Sequence, residues 1–381
     1  MSVINLHVYP SPFKFESRIL RETKSIIELG LADEVIVASG WDKGLKDWER
    51  IDEKRSVKRF KLFFDRFKKN PLVDVLKYFE FILKVFVFYK AKNVKIINCH
   101  SLFVLPVGYL LKLFASKIWL IYDAHELESQ KTGLNKISKY VSAVLEKSLV
   151  KKIDRLIVVS PSIGKWYKNK YGLLNVVVLR NTPESSNITG RHQVFNDMFN
   201  IPKTAMIFIY QGVVNKGRGI ELLINAFSGN PPDKHLVVMG YGPLVDLVKE
   251  AEKNTPNIHF LPAVHPSEIC YYTSGADVGL SVIENMSLSY YYCLPNKLFE
   301  YLHSGLPVIV SNFPDMSTII NQFDCGWVTE VSPKSLKKVL NGISVDELLE
   351  KSKGVVNVRR EINWKKECGL LFGAFPVSTG N

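Results

Sequence analysis

The densest chemistry in the sequence lies between residues 291 and 301, Tyr-Tyr-Cys-Leu-Pro-Asn-Lys-Leu-Phe-Glu-Tyr. A strand-like run ends before it at Ile283-Glu284-Asn285, and another begins after it at Leu306-Pro307-Val308. Pro295 and Asn296 lead into a short helix that carries Glu300 one to two turns in. A helix N-terminus exposes unpaired N–H groups and favours anions. A carboxylate a turn or two further accepts hydrogen bonds from a neutral polyol. A phosphate cradle followed by a hydroxyl acceptor is what a nucleotide-sugar site needs. A second candidate is Gln211-Gly212-Val213-Val214-Asn215-Lys216-Gly217-Arg218-Gly219, between a strand and the helical run Ile220–Phe227. Its glycines allow close backbone approach to a ligand, and Lys216 and Arg218 bring two cations to a helix start, as a diphosphate requires. It is neither a Walker loop nor a dinucleotide fingerprint.

Three further stretches end strands with polar groups. Gly240-Tyr241-Gly242-Pro243 follows His235–Met239, where Gly242 admits a ligand or simply makes a strand-to-helix turn. Asp123-Ala124-His125-Glu126 follows Ile118–Tyr122. Polar groups after a buried strand are costly unless used or solvated. His125 suits a sugar hydroxyl or a developing charge; a structural hydrogen-bond cluster and an Asp-x-His metal pair are the other readings, the last lacking a third ligand. Arg180-Asn181-Thr182-Pro183 shapes a turn or, through Arg180 or Asn181, touches substrate.

The elements that must position these groups alternate between strand and helix. Strands are expected at Val3–Val8, Glu34–Ala38, Val94–Cys99, Ile118–Tyr122 and Arg155–Val159, with helices at about Glu16–Leu29, Leu105–Phe114 and Lys136–Val150 and a polar loop at Trp41–Glu53. After a turn-rich patch, strands follow at Ala205–Tyr210, His235–Met239, Ile258–Phe260, Val278–Ser281 and Pro307–Val310. The rhythm implies parallel sheets covered on both faces, an α/β chain of two doubly wound domains with a ligand cleft between them. The expected boundaries are 1–183, a linker at 184–203, and 204–363, with 364–381 returning to the first domain.

The chain has 381 residues, is 46% apolar and carries a net charge of +13. That is enough for two domains with sizeable cores and points to anionic partners. Five scattered cysteines form no paired metal spacing, and no signal-like segment precedes Val3, so the expected compartment is the cytoplasm. Residues 55–92 hold eleven Lys/Arg against three acids, interleaved with aromatics such as Phe60, Phe63, Phe67, Phe79 and Phe88. Basic amphipathic helices of this kind lie on anionic membranes; the alternative is a solvated face with its aromatics on the sheet. No nucleic-acid module accompanies the charge, and nucleic acid is not an expected partner.

The ordered set Tyr-Asp-Ala-His-Glu-Leu (122–127), Arg-Asn-Thr-Pro (180–183), Gln-Gly…Asn-Lys-Gly-Arg-Gly (211–219), Gly-Tyr-Gly-Pro (240–243), Leu-Pro-Ala-Val (261–264), Ala-Asp-Val-Gly-Leu (276–280) and Pro-Asn-Lys-Leu-Phe-Glu-Tyr-Leu (295–302) resembles the GT-B glycosyltransferases, specifically retaining family 4. The resemblance covers about residues 115–330. It implies two Rossmann-like domains facing across a cleft. It implies that Lys216, with Arg218, binds the donor diphosphate, that Glu300 holds the ribose, and that the backbone at Asn296, Lys297 and Leu298 meets the distal phosphate and sugar. Gly212 and Gly242 would give the donor room, and His125, flanked by Asp123 and Glu126, would sit beside the donor sugar. It implies no metal and no cofactor other than the nucleoside diphosphate sugar itself, UDP-sugar being the commonest. Three positions depart from the family. Tyr292 stands where the first of two glutamates is usual, seven residues before Glu300. Val213 stands where arginine is common. Tyr9-Pro10-Ser11-Pro12-Phe13 replaces a glycine-rich loop.

The expected function is therefore retaining transfer of a sugar to a glycan or lipid-linked acceptor in bacterial capsule, O-antigen or exopolysaccharide assembly, at the inner face of the cytoplasmic membrane. A GT-B nucleotide-sugar epimerase and a non-catalytic nucleotide-sugar-binding partner of a glycan-assembly complex are the competing readings.

Overall fold

The computed structural model describes residues 2–14, 16–68, 70–115, 117–184, 190–229 and 233–376. It forms two compact units. The first runs to Leu179 and takes in the segment from Cys368; the second is Arg180–Glu367.

The first unit is built on eight strands: β1 (Ile4–Pro12), β2 (Glu34–Gly40), β3 (Trp48–Arg50), β4 (Arg55–Phe60), β5 (Val94–Cys99), β6 (Trp119–Ala124), β7 (Arg155–Val158) and β8 (Val176–Val178). Their order is β3-β4-β2-β1-β5-β6-β7-β8. Every neighbouring pair is parallel except β3–β4. Helices cover both faces, so central strands bury residues of either parity: Leu6 and His7 on β1, and Leu120 and Ile121 on β6, have no exposure. Helices Ser17–Glu28, Leu105–Phe114 and Lys136–Leu149 form where periodicity predicts them.

Two expectations need correction here. The loop at Trp41–Glu53 contains β3, and residues 55–60 are β4, an inner strand, not part of a basic helix. Charge disguised the strand. Arg59 is buried but paired at both terminal nitrogens, with Nη1 2.6 Å from Glu49 Oε2 and Nη2 donating to Phe13 O at 2.8 Å. The helix of that region is Pro71–Tyr89, started by Asn70, whose Oδ1 accepts from Val73 N–H, with Pro71 at the first position. Among the described residues no helix is long and apolar enough to cross a membrane.

The second unit has six parallel strands: β9 (Met206–Val213), β10 (Lys234–Tyr241), β11 (Ile258–Pro262), β12 (Val278–Ser281), β13 (Val308–Ser311) and β14 (Gly326–Thr329). Their order is β11-β10-β9-β12-β13-β14, so the direction of winding reverses between β9 and β12. Open parallel sheets bind ligands at the carboxyl ends of strands at such a reversal. The sequence reading missed β14. A Cβ on Gly326 would lie 2.0 Å from Val308 O, so a glycine, which reads as a breaker, is what lets this strand approach.

Part of the expected linker is also structured. Helix Val194–Phe199 ends at Asn200 in the left-handed conformation (φ 53°) and buries Phe195 in the second core. Six residues are too few to show a helical period. Residues 185–189 lie outside the described ones. At the other end, the return to the first unit begins at Cys368 rather than 364. It is tied there by Trp119 Nε1 donating to Ala374 O (3.0 Å) and Arg155 Nε to Gly373 O (2.9 Å).

Candidate functional site

In the second unit the loops after β9 and β12 meet helix Asn296–His303. Glu300 is fixed by Gln211, whose Nε2 donates to Glu300 Oε2 at 2.6 Å. Gln211 is itself held: Thr273 Oγ1 donates to its Oε1 (2.6 Å), and its N–H donates to Tyr301 Oη (2.7 Å). One carboxylate face is thus aimed by a buried amide on the central strand. Asn296 opens the helix and accepts at Oδ1 from Asn181 Nδ2 (2.7 Å), which joins two candidates 115 residues apart. Leu298 plays a different part from the one expected. Its side chain is fully buried, and its N–H donates to Pro295 O at 3.0 Å. The unpaired N–H groups of that turn are therefore to be sought at Asn296 and Lys297.

The glycine loop is shaped by close packing. Gly212 (φ 115°) is exposed, and a Cβ on Gly219 would meet Val282 O at 2.3 Å. Gly242 has a packing role, since its Cβ would lie 2.3 Å from Val214 O. Lys216 is exposed at the loop tip, and Arg218 lies over the Tyr290 ring, 4.7 Å from its centroid. Gly219 N–H, at the start of helix Ile220–Phe227, donates to Glu284 Oε1 (3.3 Å), so this helix end already has a carboxylate of the chain. Lys297 projects to the same loop, its Nζ 3.6 Å from the Tyr210 ring centroid. Burial first, then repulsion from Arg218, pulls its ammonium down to about 7, against the attraction of Glu300. Tyr292 is half-buried beside Tyr291, their ring centroids 5.4 Å apart.

The first unit carries its own cluster at the ends of β5 and β6. Asp123 is fully buried and takes Arg18 Nη2 on Oδ1 (2.9 Å). Its Oδ2 lies 2.9 Å from both His100 Nδ1 and His125 Nε2. The row continues inward, from His100 Nε2 to His7 Nδ1 at 2.7 Å and from His7 Nε2 to Asn5 Oδ1 at 2.6 Å. Burial alone would raise Asp123, but Arg18 and the two histidines hold it well below the usual carboxylate range. Burial drives Glu22, 2.9 Å from Arg18 Nε, the other way, well above its ordinary value. Of two buried carboxyls on one guanidinium, Asp123 keeps the charge and Glu22 the proton. Burial also lowers His7 and His100. His125 is the cluster's exposed end, its side chain 30% accessible. Nε2 is engaged by Asp123, and Nδ1 has no hydrogen-bond partner among the described residues. Glu126 pairs with Lys131 at 3.1 Å.

His100 is the third group that the Asp-x-His spacing did not reveal. The ligand atoms of His100, Asp123 and His125 lie within 4.8 Å of one another, a set able to hold a cation among the described residues. Arg18 already compensates Asp123, and both rings are turned onto it, so the cluster is closed on itself. Sequence reasoning also missed Arg18, Gln211 and the side chain of Lys297. Arg180, the alternative to Asn181, is engaged by Glu367 (Nη1 to Oε1, 2.9 Å).

Residues 23–182 match the family model described as Glycosyltransferase Family 4, and residues 194–357 match Glycosyl transferases group 1. Both halves thus carry glycosyltransferase domains, and the chain belongs to the glycosyltransferases of GT-B fold. Among solved structures it is similar to sucrose-phosphate synthase from Thermosynechococcus elongatus (TM-score 0.78, 15% identity, 97% of this chain and 98% of that one). It is also similar to HepE from Anabaena in complex with UDP and glucose (0.74, 14%, 98% and 98%). A third is WaaG, a glycosyltransferase involved in lipopolysaccharide biosynthesis (0.70, 14%, 99% and 100%). At these identities the likeness is one of fold. No curated protein matches the chain in sequence.

Proposed function

We propose that this glycosyltransferase moves a sugar, with retention, from a nucleoside diphosphate sugar to a glycan or lipid-linked oligosaccharide of a bacterial surface polysaccharide. The observation that carries the donor half is Glu300, held by Gln211 at 2.6 Å one turn into a helix whose start is flanked by cations. A ribose diol suits that carboxylate and a diphosphate suits Lys216 and Arg218. Uridine is the favoured nucleoside, supported by the UDP complex of HepE, and the pathway is supported by the likeness to WaaG. Cations and backbone N–H groups neutralise the departing diphosphate, the service a metal performs elsewhere. The bond from the anomeric carbon to the phosphate oxygen breaks as the acceptor oxygen bonds to that carbon from the same face. The departing phosphate takes the acceptor proton, so no protein nucleophile is required. His125, anchored by Asp123, orients a hydroxyl of the donor sugar.

An anionic membrane face at the cytoplasmic side is the proposed location of the acceptor. In its favour, helix Pro71–Tyr89 is apolar on both sides. Val73, Phe81, Val85 and Tyr89 are buried, while Leu72, Val75, Phe79 (61% exposed), Leu83 (60%) and Val87 form an outward stripe among lysines. Residues 55–60 have no share in it.

Thermal-shift screening of UDP-, GDP-, ADP- and dTDP-sugars tests the donor. One stabilising base, its shift reduced by Glu300→Ala, is expected; stabilisation by none sinks the reading. Flotation with vesicles containing phosphatidylglycerol tests the membrane face. Wild type should float and Phe79→Ser/Leu83→Ser should not.

A further inference from the structure

Lys297 holds a charge that the chain itself does not answer. Its side chain is half-buried, its Nζ rests 3.6 Å from the centroid of Tyr210, and its Cε lies 4.0 Å from where a Cβ on Gly212 would stand. Among the described residues it forms no ion pair and no hydrogen bond. A half-buried cation without an ion-pair partner is unfavourable, and such groups are often found where a ligand supplies the anion. The surrounding charged and titratable groups come from four places. Arg218, from the glycine loop, repels it. Glu300, one turn on, attracts it but is committed to Gln211. Cys293, which burial pushes up to about 12, is a neutral thiol. Tyr210 and Tyr301 are neutral phenols, both raised by burial. The open side is Gly212, at a φ of 115° that suits glycine, next to Val213, which brings no charge.

We propose that the Lys297 side chain is a further cation of the diphosphate cradle, beside Lys216 and Arg218, filling the space beside Gly212 and Val213. The inference rests on the donor reading above. In the free protein burial and the nearby Arg218 pull the Lys297 ammonium down to about 7. A nucleoside diphosphate supplies the missing counter-charge, so the amine takes a proton from solvent and the resulting ammonium donates to phosphate oxygens. The same charge then meets the negative charge that develops on the leaving diphosphate. Arg218, over the Tyr290 ring, faces the same anion.

Titration calorimetry of the full chain with UDP, GDP, ADP and dTDP, at pH 6–9 in two buffers of different ionisation enthalpy, counts the proton. Above pH 7.5 the terminal phosphate is already ionised (second pKa about 6), so uptake there belongs to the protein. Wild type should take up roughly one proton at pH 8.5 and little at pH 6, its affinity falling about tenfold per pH unit above 7. Lys297→Met should bind about 10–100-fold more weakly at pH 7, without uptake and without that slope. Lys297→Arg, permanently charged, should restore affinity to within a few-fold but still show no uptake, a split that a merely structural lysine would not produce. Binding by wild type without proton uptake, or equal affinity in Lys297→Met, overturns the inference. If Glu300→Ala still weakens binding in that case, the donor site stands and only the role of Lys297 falls. Failure of wild type to bind UDP, GDP, ADP or dTDP overturns both.

Discussion

A charge kept for a ligand should weigh on the unliganded fold, and Lys297→Met measures that weight. Lys297 titrates from an ordinary 10.5 down to about 7 in the folded chain. Between those values the folded state binds fewer protons than the unfolded one. The cost to stability is therefore absent above pH 10.5, grows as the pH falls, and is complete below 7. At 1.36 kcal/mol per tenfold change in acidity the cost is up to about 4 kcal/mol at pH 7 and about 2 kcal/mol at pH 9. Against this stands the contact with Tyr210, about 2 kcal/mol for a desolvated cation over a ring, part of which the methionine thioether retains. The loss term wins at neutral pH. Lys297→Met should stabilise the ligand-free second unit by about 3 kcal/mol at pH 7, by about 2 kcal/mol at pH 9, where the folded amine is neutral and the ring contact no longer counts, and by close to nothing above pH 10.5. Urea unfolding at the three pH values, followed by hydrogen exchange at β9 and β12, reads the difference. A destabilised variant at pH 7, or a stabilisation that persists unchanged above pH 10.5, would refute the reasoning.

The first unit offers three more tests. Arg18→Met leaves Asp123 and Glu22 buried without their cation and should cost the unit about 3–5 kcal/mol in urea unfolding; a loss under about 1 kcal/mol would mean the pair is not held as described. Burial keeps His7 and His100 neutral in the fold. The unfolded chain is protonated first, near 6.5, so their contribution is intact above that pH and lost below it. Exchange protection of β1 and β5 should accordingly fall between pH 6.5 and 5, and constancy over that range would count against the neutral row. His125→Ala should lower turnover about 100-fold or more while donor affinity stays within about threefold; equal losses in both would remove His125 from the donor sugar.

The βαβ rhythm was legible because apolar runs such as Val94–Cys99 are buried on both faces, and a fully buried strand leaves its mark in composition alone. What hid β4 was Arg59, whose burial depends on Glu49 across the hairpin and on Phe13 O, partners that local patterning does not reveal. Glu300 was readable from its place after Pro295 in a helix. Gln211, which aims it, was in view but lay 89 residues away, and only the parallel packing of β9 beside β12 brings the two together. The buried row did leave a signal. Asn5 and His7 stand two apart in an apolar strand and so share one face, polar where an apolar residue is expected. Their meeting with His100 needs the parallel pairing of β1 with β5, which sets His7 opposite Asn98. Lys297 was read for its backbone because a lysine at a helix start looks solvated. Its burial against Tyr210 is a tertiary fact.

The most direct test of the account is the affinity of the Glu300→Ala chain for whichever of UDP-, GDP-, ADP- and dTDP-glucose binds the wild type best, measured by calorimetry at pH 7. Loss of a hydrogen bond to a charged group predicts binding weaker by about 2–3 kcal/mol, with the melting temperature of the free protein little changed. Wild-type affinity in the variant would contradict the assignment of this carboxylate to the donor.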